Sequence, residues 1–249
     1  MKNYSLVDAH CHLNNELLLQ DHDLISYWKS NNYKIFINSI INKNELGIAI
    51  KGFTVLHTAG LHPYLYFQKG QDFNLQDLID FADKKQIHAI GECGLDKRYN
   101  NFAEQETLLV EQLAIAHEYD LPVVFHCVGK YYELAKIIKS NFPKTRGILH
   151  GFKGNAQIID NFKQFDIYFS ISSRLFQPSI DNKTLQAILK TDRYVFETDI
   201  ELQHYHNSLE VIKKYNSIND IYSHLNISNK SFDLIDVQYK SIKNLFSVN

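Results

Sequence analysis

Short apolar runs rich in β-branched residues alternate along the chain with longer amphipathic runs. The clearest amphipathic run covers residues 102–119, where apolar side chains recur at the three- and four-residue spacing of one helix face. Residues 74–85, 131–141 and 181–190 are also predicted helices. Eight shorter runs are predicted strands, over residues 5–10, 33–40, 53–60, 88–92, 121–126, 146–150, 166–172 and 193–199.

This order of elements predicts an α/β fold, because strands that alternate with helices pair in parallel through crossovers. A doubly wound open sheet would gather its binding groups at one switch point, fed by a few strand ends. A (β/α)8 TIM-type barrel brings the ends of all its strands to one rim. Almost every predicted strand ends in a polar residue that can bind a metal, so the sequence favours the barrel. No linker or repeat divides the chain, and we expect a single domain over residues 1–249.

The composition narrows the possible functions. The 26 Lys and Arg against 28 Asp and Glu give a net charge of −2, so a general nucleic-acid or membrane-surface binder is not indicated. The chain shows no signal-peptide pattern and no apolar run of the ~20 residues that span a membrane. Cys11, Cys93 and Cys127 form no C-x-x-C pair. We expect a cytoplasmic protein without membrane association or an obligate protein partner.

The first predicted strand carries the first chemical motif, Asp8-Ala9-His10-Cys11-His12. Side chains on a strand alternate between its two faces, so we expect Asp8, His10 and His12 on the inner side and Ala9 and Cys11 on the other. Two imidazoles directed towards the axis of a barrel indicate a metal site.

Other strands end in residues of the same chemistry, and Glu92, His126, His150 and Asp199 follow apolar runs. Imidazole and carboxylate at one rim suit zinc, manganese or iron, and a carboxylate can bridge two ions. Each residue alone is explained equally well as a satisfied polar group at a strand end, but six of them at strand ends predict a metal centre.

With these residues, the chain resembles the TatD-type metal-dependent hydrolases of the amidohydrolase superfamily, of which it would be a divergent member. The resemblance runs through nearly the whole chain in order. It is carried by Asp8-x-His10-x-His12, Gly60-Leu61-His62-Pro63, Gly91-Glu92-Cys93-Gly94-Leu95-Asp96, Leu121-Pro122 running into His126, His150-Gly151-Phe152-Lys153-Gly154, Phe169-Ser170-Ile171, Glu197-Thr198-Asp199 and Asn244-Leu245-Phe246.

The resemblance implies two divalent metal ions, of zinc, magnesium or manganese. His10, His12 and Asp199 would bind one ion, and Glu92 would bridge it to a second. His126 and His150 would complete the second site. Asp199 would also act as general base, so Asp199 and Glu92 are the predicted catalytic residues. The family is known for metal-dependent phosphodiester cleavage, notably exonuclease action on DNA.

Substrate contacts are less clearly indicated. The resemblance places His62 near the substrate, and Asp96 joins the predicted contacts. Lys97, Arg98, Lys130, Lys153 and Arg174 each follow a predicted strand end and could hold a phosphate, although ordinary surface positions explain them equally well. Of these, Lys97, Arg98 and Lys153 are the predicted substrate residues. Tyr99, Tyr131 and Tyr132 could stack on bases.

The sequence departs from the family in loops that select substrate. Val128 stands where Arg is usual, Ile200-Glu201-Leu202 replaces a Pro-containing segment, and Gln203–Asn207 replaces an Arg-x-Asn-x-Pro stretch. Our leading hypothesis is a phosphodiesterase acting on single-stranded DNA. One alternative is a hydrolase of the same fold acting on a small amide, lactone or phosphoester. A non-catalytic scaffold is the other. No P-loop and no G-x-S-x-G motif is present.

Overall fold

The computed structural model describes residues 5–68, 70–173, 182–224 and 231–248. Eight strands pair in parallel, each with the next along the chain, which confirms the (β/α)8 barrel and all eight predicted strands. The strands are β1 (Leu6–Cys11), β2 (Tyr33–Ile40), β3 (Thr54–Ala59), β4 (Ala89–Asp96), β5 (Val123–Val128), β6 (Arg146–Leu149), β7 (Asp166–Ile171) and β8 (Tyr194–Phe196).

Helices surround the barrel, and the four predicted ones are confirmed as α3, α4, α5 and α7. The helices in the described ranges are α1 (Glu16–Leu19), α2 (His22–Ser30), α3 (Leu75–Asp83), α4 (Phe102–Glu118), α5 (Tyr131–Asn141), α6 (Ala156–Phe162), α7 (Asn182–Leu189), α8 (Ser208–His224) and α9 (Ser231–Leu245). The helices α1 and α6 are too short to show a helical repeat in the sequence. Only Leu24 and Trp28 are buried on α2, so its pattern is mostly polar.

The barrel interior is packed with small and branched side chains, which we call the inner cluster. Its members from the strands are Val7, Ala9, Ile35, Ile37, Leu56, Ala89, Val124, Ile148 and Val195. Ile242, Leu245 and Phe246, at the end of α9, pack against this cluster. The cluster members on β1, β4, β5, β6 and β8 precede the predicted ligands in the chain, so the apolar packing fills the barrel below the candidate site.

Helices on one side of the barrel bury a second group of side chains, which we call the outer cluster. It contains Cys11, Trp28, Tyr33, Phe36 and Tyr215. Trp28 and Phe36 lie with their ring centroids 4.8 Å apart, so α2 packs tightly on the outer face of β2. The outer cluster supports β1, which carries His10 and leads into His12.

A seam runs between β8 and β1, where the described residues form no continuous strand ladder. The Gln238 amide on α9 bridges the seam: it accepts from the Phe196 amide at 2.8 Å and donates to the Val7 carbonyl at 3.0 Å. Nearer the rim, the Asp199 amide donates to the His10 carbonyl at 3.0 Å. The seam therefore fixes the last predicted ligand against the first. Among the described residues, we find no helix long and apolar enough to cross a membrane.

Candidate metal centre

The side chains of β1 do not alternate strictly. Its pairing with β2 shifts register beyond Asp8. Ala9 packs in the inner cluster, although strict alternation predicts that it faces outwards. His10 and His12 nevertheless both face Glu92 at the mouth of the barrel. The irregularity in β1 places two imidazoles in the site and one small side chain in the core below.

Asp8 lies on the other side of β1. Its carboxylate accepts hydrogen bonds from the Thr198 amide and hydroxyl at 2.9 and 2.6 Å, and it lies beside Tyr215 of the outer cluster. The prediction that Asp8 shares the inner side with the histidines is therefore wrong. Cys11 does face away from the site, as predicted, and its thiol donates to the Ile37 carbonyl.

Glu92 is the centre of the site, and its two oxygens face two different pairs of histidines. Oε1 lies 3.4 Å from His10 Nε2 and 3.3 Å from His12 Nε2. Oε2 lies 2.7 Å from His150 Nε2 and 3.4 Å from His126 Nδ1. One carboxylate between two imidazole pairs is the geometry that a bridging ligand requires.

Hydrogen bonds behind two of these histidines leave a bare nitrogen facing Glu92. His12 Nδ1 lies 2.7 Å from the Ser39 carbonyl, which can only accept, so the proton is on Nδ1. His126 Nε2 lies 3.1 Å from the Asp96 carboxylate, which also accepts. Once the ring carries no second proton, its inward nitrogen presents a lone pair, as a metal ligand must.

His62 has the opposite arrangement. Its Nδ1 accepts hydrogen bonds from the backbone amides of Tyr64 and Leu65 at 3.1 and 3.3 Å. The ring proton must then be on Nε2, so the ring presents a donor instead of a lone pair. Burial lowers the pKa of His62 to about 3, and the ring remains neutral.

Ligand atoms of the site form three close groups, each within 4.8 Å: His10, Glu92 and His150; His10, His12 and Asp199; His62, Glu92 and His126. The tautomer of His62 makes the third group unsuitable for a metal. The remaining two groups contain every predicted ligand except His126, whose Nδ1 lies 3.3 Å from His150 Nε2.

Asp199 approaches the site from the segment after β8. Its backbone is in the left-handed region, with φ of 52°, which Asp adopts more readily than most residues. Its Oδ1 lies 3.8 Å from His10 Nε2, and its side chain is 15% exposed. Asp199 is therefore close to the predicted ligands and open to the cavity, as its predicted double role requires.

The buried carboxylate determines the charge of the cluster. Burial opposes ionisation of Glu92, but the neighbouring histidines, chiefly charged His150, outweigh it and hold the Glu92 pKa well below its usual range. Burial also opposes protonation of His12 and His150, yet Glu92 raises their pKa values to about 9 and about 10. Burial and the charge of His150 lower the pKa of His10 to about 4. Without a metal, these raised pKa values favour protons on His12 and His150 beside Glu92.

His10 provides a test of whether a cation fits. Its Nε2 is buried and has no hydrogen-bond partner, although Glu92 and Asp199 oxygens lie 3.4 and 3.8 Å away. An unsatisfied buried nitrogen costs about 1–3 kcal/mol. A divalent cation held by these three groups satisfies the nitrogen and neutralises the carboxylates, so the donor set fits a metal ion.

Glu197 is a site residue to which the sequence analysis gave no role. It is fully buried, its Oε1 accepts from the Gly151 amide at 2.7 Å, and its Oε2 lies 3.9 Å from His150 Nδ1. Burial raises its pKa. Its position one residue before Thr198-Asp199 was visible in the sequence, but its contact with His150 joins the ends of β6 and β8, which lie on either side of β7.

The strand ends surround a cavity of about 690 Å³. Its walls include five predicted ligands, namely His12, Glu92, His126, His150 and Asp199. They also include four of the predicted substrate residues: His62, Lys97, Arg98 and Lys153. Three cationic side chains thus line the cavity that also contains the metal-binding groups.

Asp96 has a different place from the one expected of a substrate residue. Its side chain is fully buried and is absent from the cavity wall. Its carboxylate is bound by the Arg98 guanidinium on one side and by His126 on the other. Asp96 therefore orients His126 and also holds part of the charge of Arg98.

Of the remaining predicted contacts, Tyr131 lines the cavity, whereas Lys130 and Tyr132 do not. Lys130 pairs with Glu133 at 2.9 Å. Tyr131 is buried and accepts a hydrogen bond from the Lys153 amide at 3.1 Å, and Tyr132 is 54% exposed on α5. Arg174 lies outside the described residues.

Two buried glutamines of α4 hold the loops that carry site residues. The Gln112 amide accepts from the Leu61 amide at 2.6 Å and donates to the Leu61 carbonyl at 3.2 Å, next to His62. Gln105 makes the same pair of bonds with Asp96, at 2.7 and 3.2 Å. Each glutamine thus replaces a missing strand partner at the rim.

The protein is a parallel eight-stranded barrel, and imidazoles and carboxylates stand at the ends of its strands. These features are typical of metal-binding TIM-type barrels. The sequence profile of the TatD related DNase family matches residues 7–234, and the chain belongs to this family.

Individual relatives agree with this assignment. The chain is 33% identical over 135 residues to the uncharacterized metal-dependent hydrolase YjjV of Escherichia coli K12, covering 53% of this chain and 51% of that protein. It is 31% identical over 147 residues to the 3'-5' ssDNA/RNA exonuclease TatD of Cronobacter sakazakii, covering 57% and 56%. These matches span about half the length of each relative. The crystal structure of Escherichia coli YjjV superposes with a TM-score of 0.77 at 23% identity, covering 98% of both chains.

Proposed function

We propose that this protein is a divalent-metal-dependent phosphodiesterase that removes nucleotides from single-stranded nucleic acid, with DNA as the expected substrate. The observation that carries the proposal is the position of Glu92, whose oxygens each face a separate pair of histidines. The exonuclease name of the TatD relative supports the same class of substrate.

In this proposal, His10, His12 and Asp199 would hold one ion, His126 and His150 would hold the other, and Glu92 would contribute to both sites. Zinc, magnesium and manganese all fit such ligands. Divalent ions, when bound, polarise phosphoryl oxygens and lower the pKa of water. The chain must supply the remaining parts: a proton acceptor, donors to the phosphate and groups that orient the ligands.

Asp199 is the proposed proton acceptor. Its carboxylate lines the cavity and is 15% exposed, whereas Glu92 and Glu197 are more deeply buried. It can therefore reach a water molecule that enters beside a bound phosphodiester, and can take the proton that this water loses on attack. General base catalysis of this kind contributes about 10²- to 10⁴-fold to the rate.

His62 is the proposed neutral donor to the phosphate. Its Nδ1 is occupied by two backbone amides, which leaves the Nε2 proton for a substrate oxygen. Because burial lowers its pKa to about 3, the ring donates without changing its protonation state at neutral pH. Its ring centroid lies 4.3 Å from that of His126, which supports a donor next to the proposed second ion.

Lys97 and Lys153 are the side chains proposed to bind the phosphate. Arg98 is less available, because its guanidinium also binds the Asp96 carboxylate. Lys97 lies across the loop after β5. Its aliphatic chain occupies the space that a side chain at Gly129 would need. The Lys97 amide donates to the Val128 carbonyl at 3.0 Å. Lys97 thus brings a positive charge to the loop in which Val128 replaces the arginine that is usual in the family.

A second candidate, hydrolysis of a small phosphoester, amide or lactone, is favoured by one observation. Val128, Ile41 and Leu65 line the cavity and present apolar surface where a nucleic-acid enzyme would gain from further cations. Salt distinguishes the two functions, because binding dominated by phosphates weakens steeply with ionic strength and binding of a neutral small molecule does not.

The test of the proposed function is release of nucleotides from end-labelled single-stranded DNA in the presence of manganese or magnesium. We expect metal-dependent, salt-sensitive degradation by the native protein. Asp199→Asn should lower kcat by about 10²-fold or more, because the carboxylate that accepts the proton is lost.

The control variant is Asp160→Asn, since Asp160 lies exposed on α6 and pairs with Lys163. It should degrade the strand at the native rate. Native protein that holds metal but leaves the strand intact, while cleaving small esters, would contradict the proposal and favour the second candidate.

A further inference from the structure

A second cavity adjoins the metal-site cavity and plays no part in the chemistry described so far. We call it the outer groove, and define it by Tyr64, Phe67, Gln68, Tyr99, Asn100 and Asn101. Its volume is about 420 Å³. Tyr64 lines both cavities, and Arg98 of the inner cavity precedes Tyr99 of the groove. The two cavities therefore share a wall at Tyr64.

The wall between the two cavities contains a stacked aromatic pair. The rings of Tyr64 and Tyr99 lie with centroids 4.2 Å apart and planes inclined by 13°. The Arg98 guanidinium carbon lies 5.7 Å from the centroid of the Tyr99 ring. Aromatic rings with a neighbouring guanidinium form the platform on which proteins stack unpaired bases.

Polar groups of the outer groove are neutral amides. Gln68, Asn100 and Asn101 each carry both a donor and an acceptor, as the edges of nucleobases do. No Lys, Arg, Asp or Glu is among the described residues that line it. The cations Lys97, Arg98 and Lys153 line the inner cavity instead. This division suits a base in the outer groove and a phosphate in the inner cavity.

We propose that the outer groove binds the base of the nucleotide adjacent to the phosphodiester being cleaved, in a single strand whose phosphate occupies the metal-site cavity. The proposal rests on the proposed function and specifies its substrate further. The tyrosine pair stacks on the base without regard to its identity, because every base presents a π face. A strand of at least two nucleotides should therefore bind better than a small ester.

Tyr99 is the residue to change, because the backbone amide of Tyr64 holds His62 in place. Tyr99→Ala should raise the ratio of the KM for a single-stranded oligodeoxynucleotide to the KM for bis(p-nitrophenyl) phosphate by about 5- to 150-fold. Tyr99→Phe retains the ring and should restore the native ratio. Tyr132→Ala, which removes a 54% exposed ring on α5, is the matched control.

A second measurement follows the base directly. Oligodeoxynucleotides that carry 2-aminopurine at each of the last four positions in turn should show quenched fluorescence at one position when bound by the native protein. The quenching should disappear with Tyr99→Ala and persist with Tyr99→Phe. It reports stacking whether or not the variant retains full turnover.

Equal losses on the oligonucleotide and on the small ester in Tyr99→Ala would overturn the proposal, as would a Tyr99→Phe variant as impaired as Tyr99→Ala. Failure of the proposed function is visible separately, in the native protein. A native protein that cleaves bis(p-nitrophenyl) phosphate but neither binds nor cleaves the oligonucleotide removes both proposals together.

Discussion

At the scale of single residues, the contacts behind the histidines decide their roles. His12 and His126 donate to the Ser39 carbonyl and the Asp96 carboxylate, so the inner nitrogen of each ring is the one that can bind a metal. His62 accepts from two backbone amides instead, and its free nitrogen carries a proton. Three imidazoles in one cavity thus divide into ligands and a donor through hydrogen bonds that lie outside the site.

Competition between protons and cations follows from the same contacts. In the metal-free protein, Glu92 raises the pKa values of His12 and His150 from 6.5 to about 9 and about 10. A metal binds only the unprotonated rings. Apparent affinity for manganese should therefore rise as the pH increases from about 6.5 to 9, with protons released on binding.

Calorimetric titration in two buffers of different ionisation enthalpy measures this proton release. The expected result is an observed binding enthalpy that differs between the buffers at pH 7 and an affinity that is higher at pH 8 than at pH 7. Equal enthalpies in both buffers, together with an affinity independent of pH, would show that the histidines are already unprotonated in the metal-free protein.

At the scale of elements, buried glutamines connect helices to strand ends. Gln105 and Gln112 on α4 bind the backbone at Asp96 and Leu61, and Gln238 on α9 binds both sides of the seam between β8 and β1. Each satisfies a buried amide and a buried carbonyl that no neighbouring strand reaches. The rim of the barrel is thus held by side chains where the strand ladder ends.

Replacement of Gln238 tests the seam. Gln238→Leu keeps a similar volume but leaves the Phe196 amide and the Val7 carbonyl buried without partners. The expected loss is about 2–4 kcal/mol in the free energy of unfolding. Urea unfolding followed by circular dichroism measures it.

Gln157→Leu, at an exposed position of α6, is the comparison and should change stability by less than about 0.5 kcal/mol. If Gln238→Leu unfolds at the same urea concentration as the native protein, the seam does not depend on this amide and another contact must close the barrel.

The sequence predicted the strands because apolar, β-branched runs depend on local composition, and all eight are confirmed. It did not predict the ends of the elements equally well. β4 continues to Asp96 and β5 to Val128, while β8 stops at Phe196. These ends depend on pairing between neighbouring strands and on side chains such as Gln105, which are distant in sequence. The face of Asp8 was missed for the same reason, since an irregular register is set by the adjacent strand.

At the scale of the whole molecule, the barrel brings together groups that are far apart in the chain. The fold and the family could be predicted because a run of motifs occurs in the expected order, and both are confirmed. The roles of Glu197, Asp96 and the outer groove could not, because each depends on contacts across several loops. The seam between β8 and β1 also joins distant parts of the chain, since the Asp199 amide after the last strand binds the His10 carbonyl in the first.

The number of divalent ions bound per chain tests most directly whether Glu92 is shared by two metal sites. Equilibrium dialysis against manganese, followed by elemental analysis, gives this number for the native protein and for Glu92→Gln, with exposed Glu133→Gln as the control. We expect two ions in the native protein and in the control, and at most one in Glu92→Gln. Two ions retained by Glu92→Gln, or none bound by the native protein, would contradict this expectation.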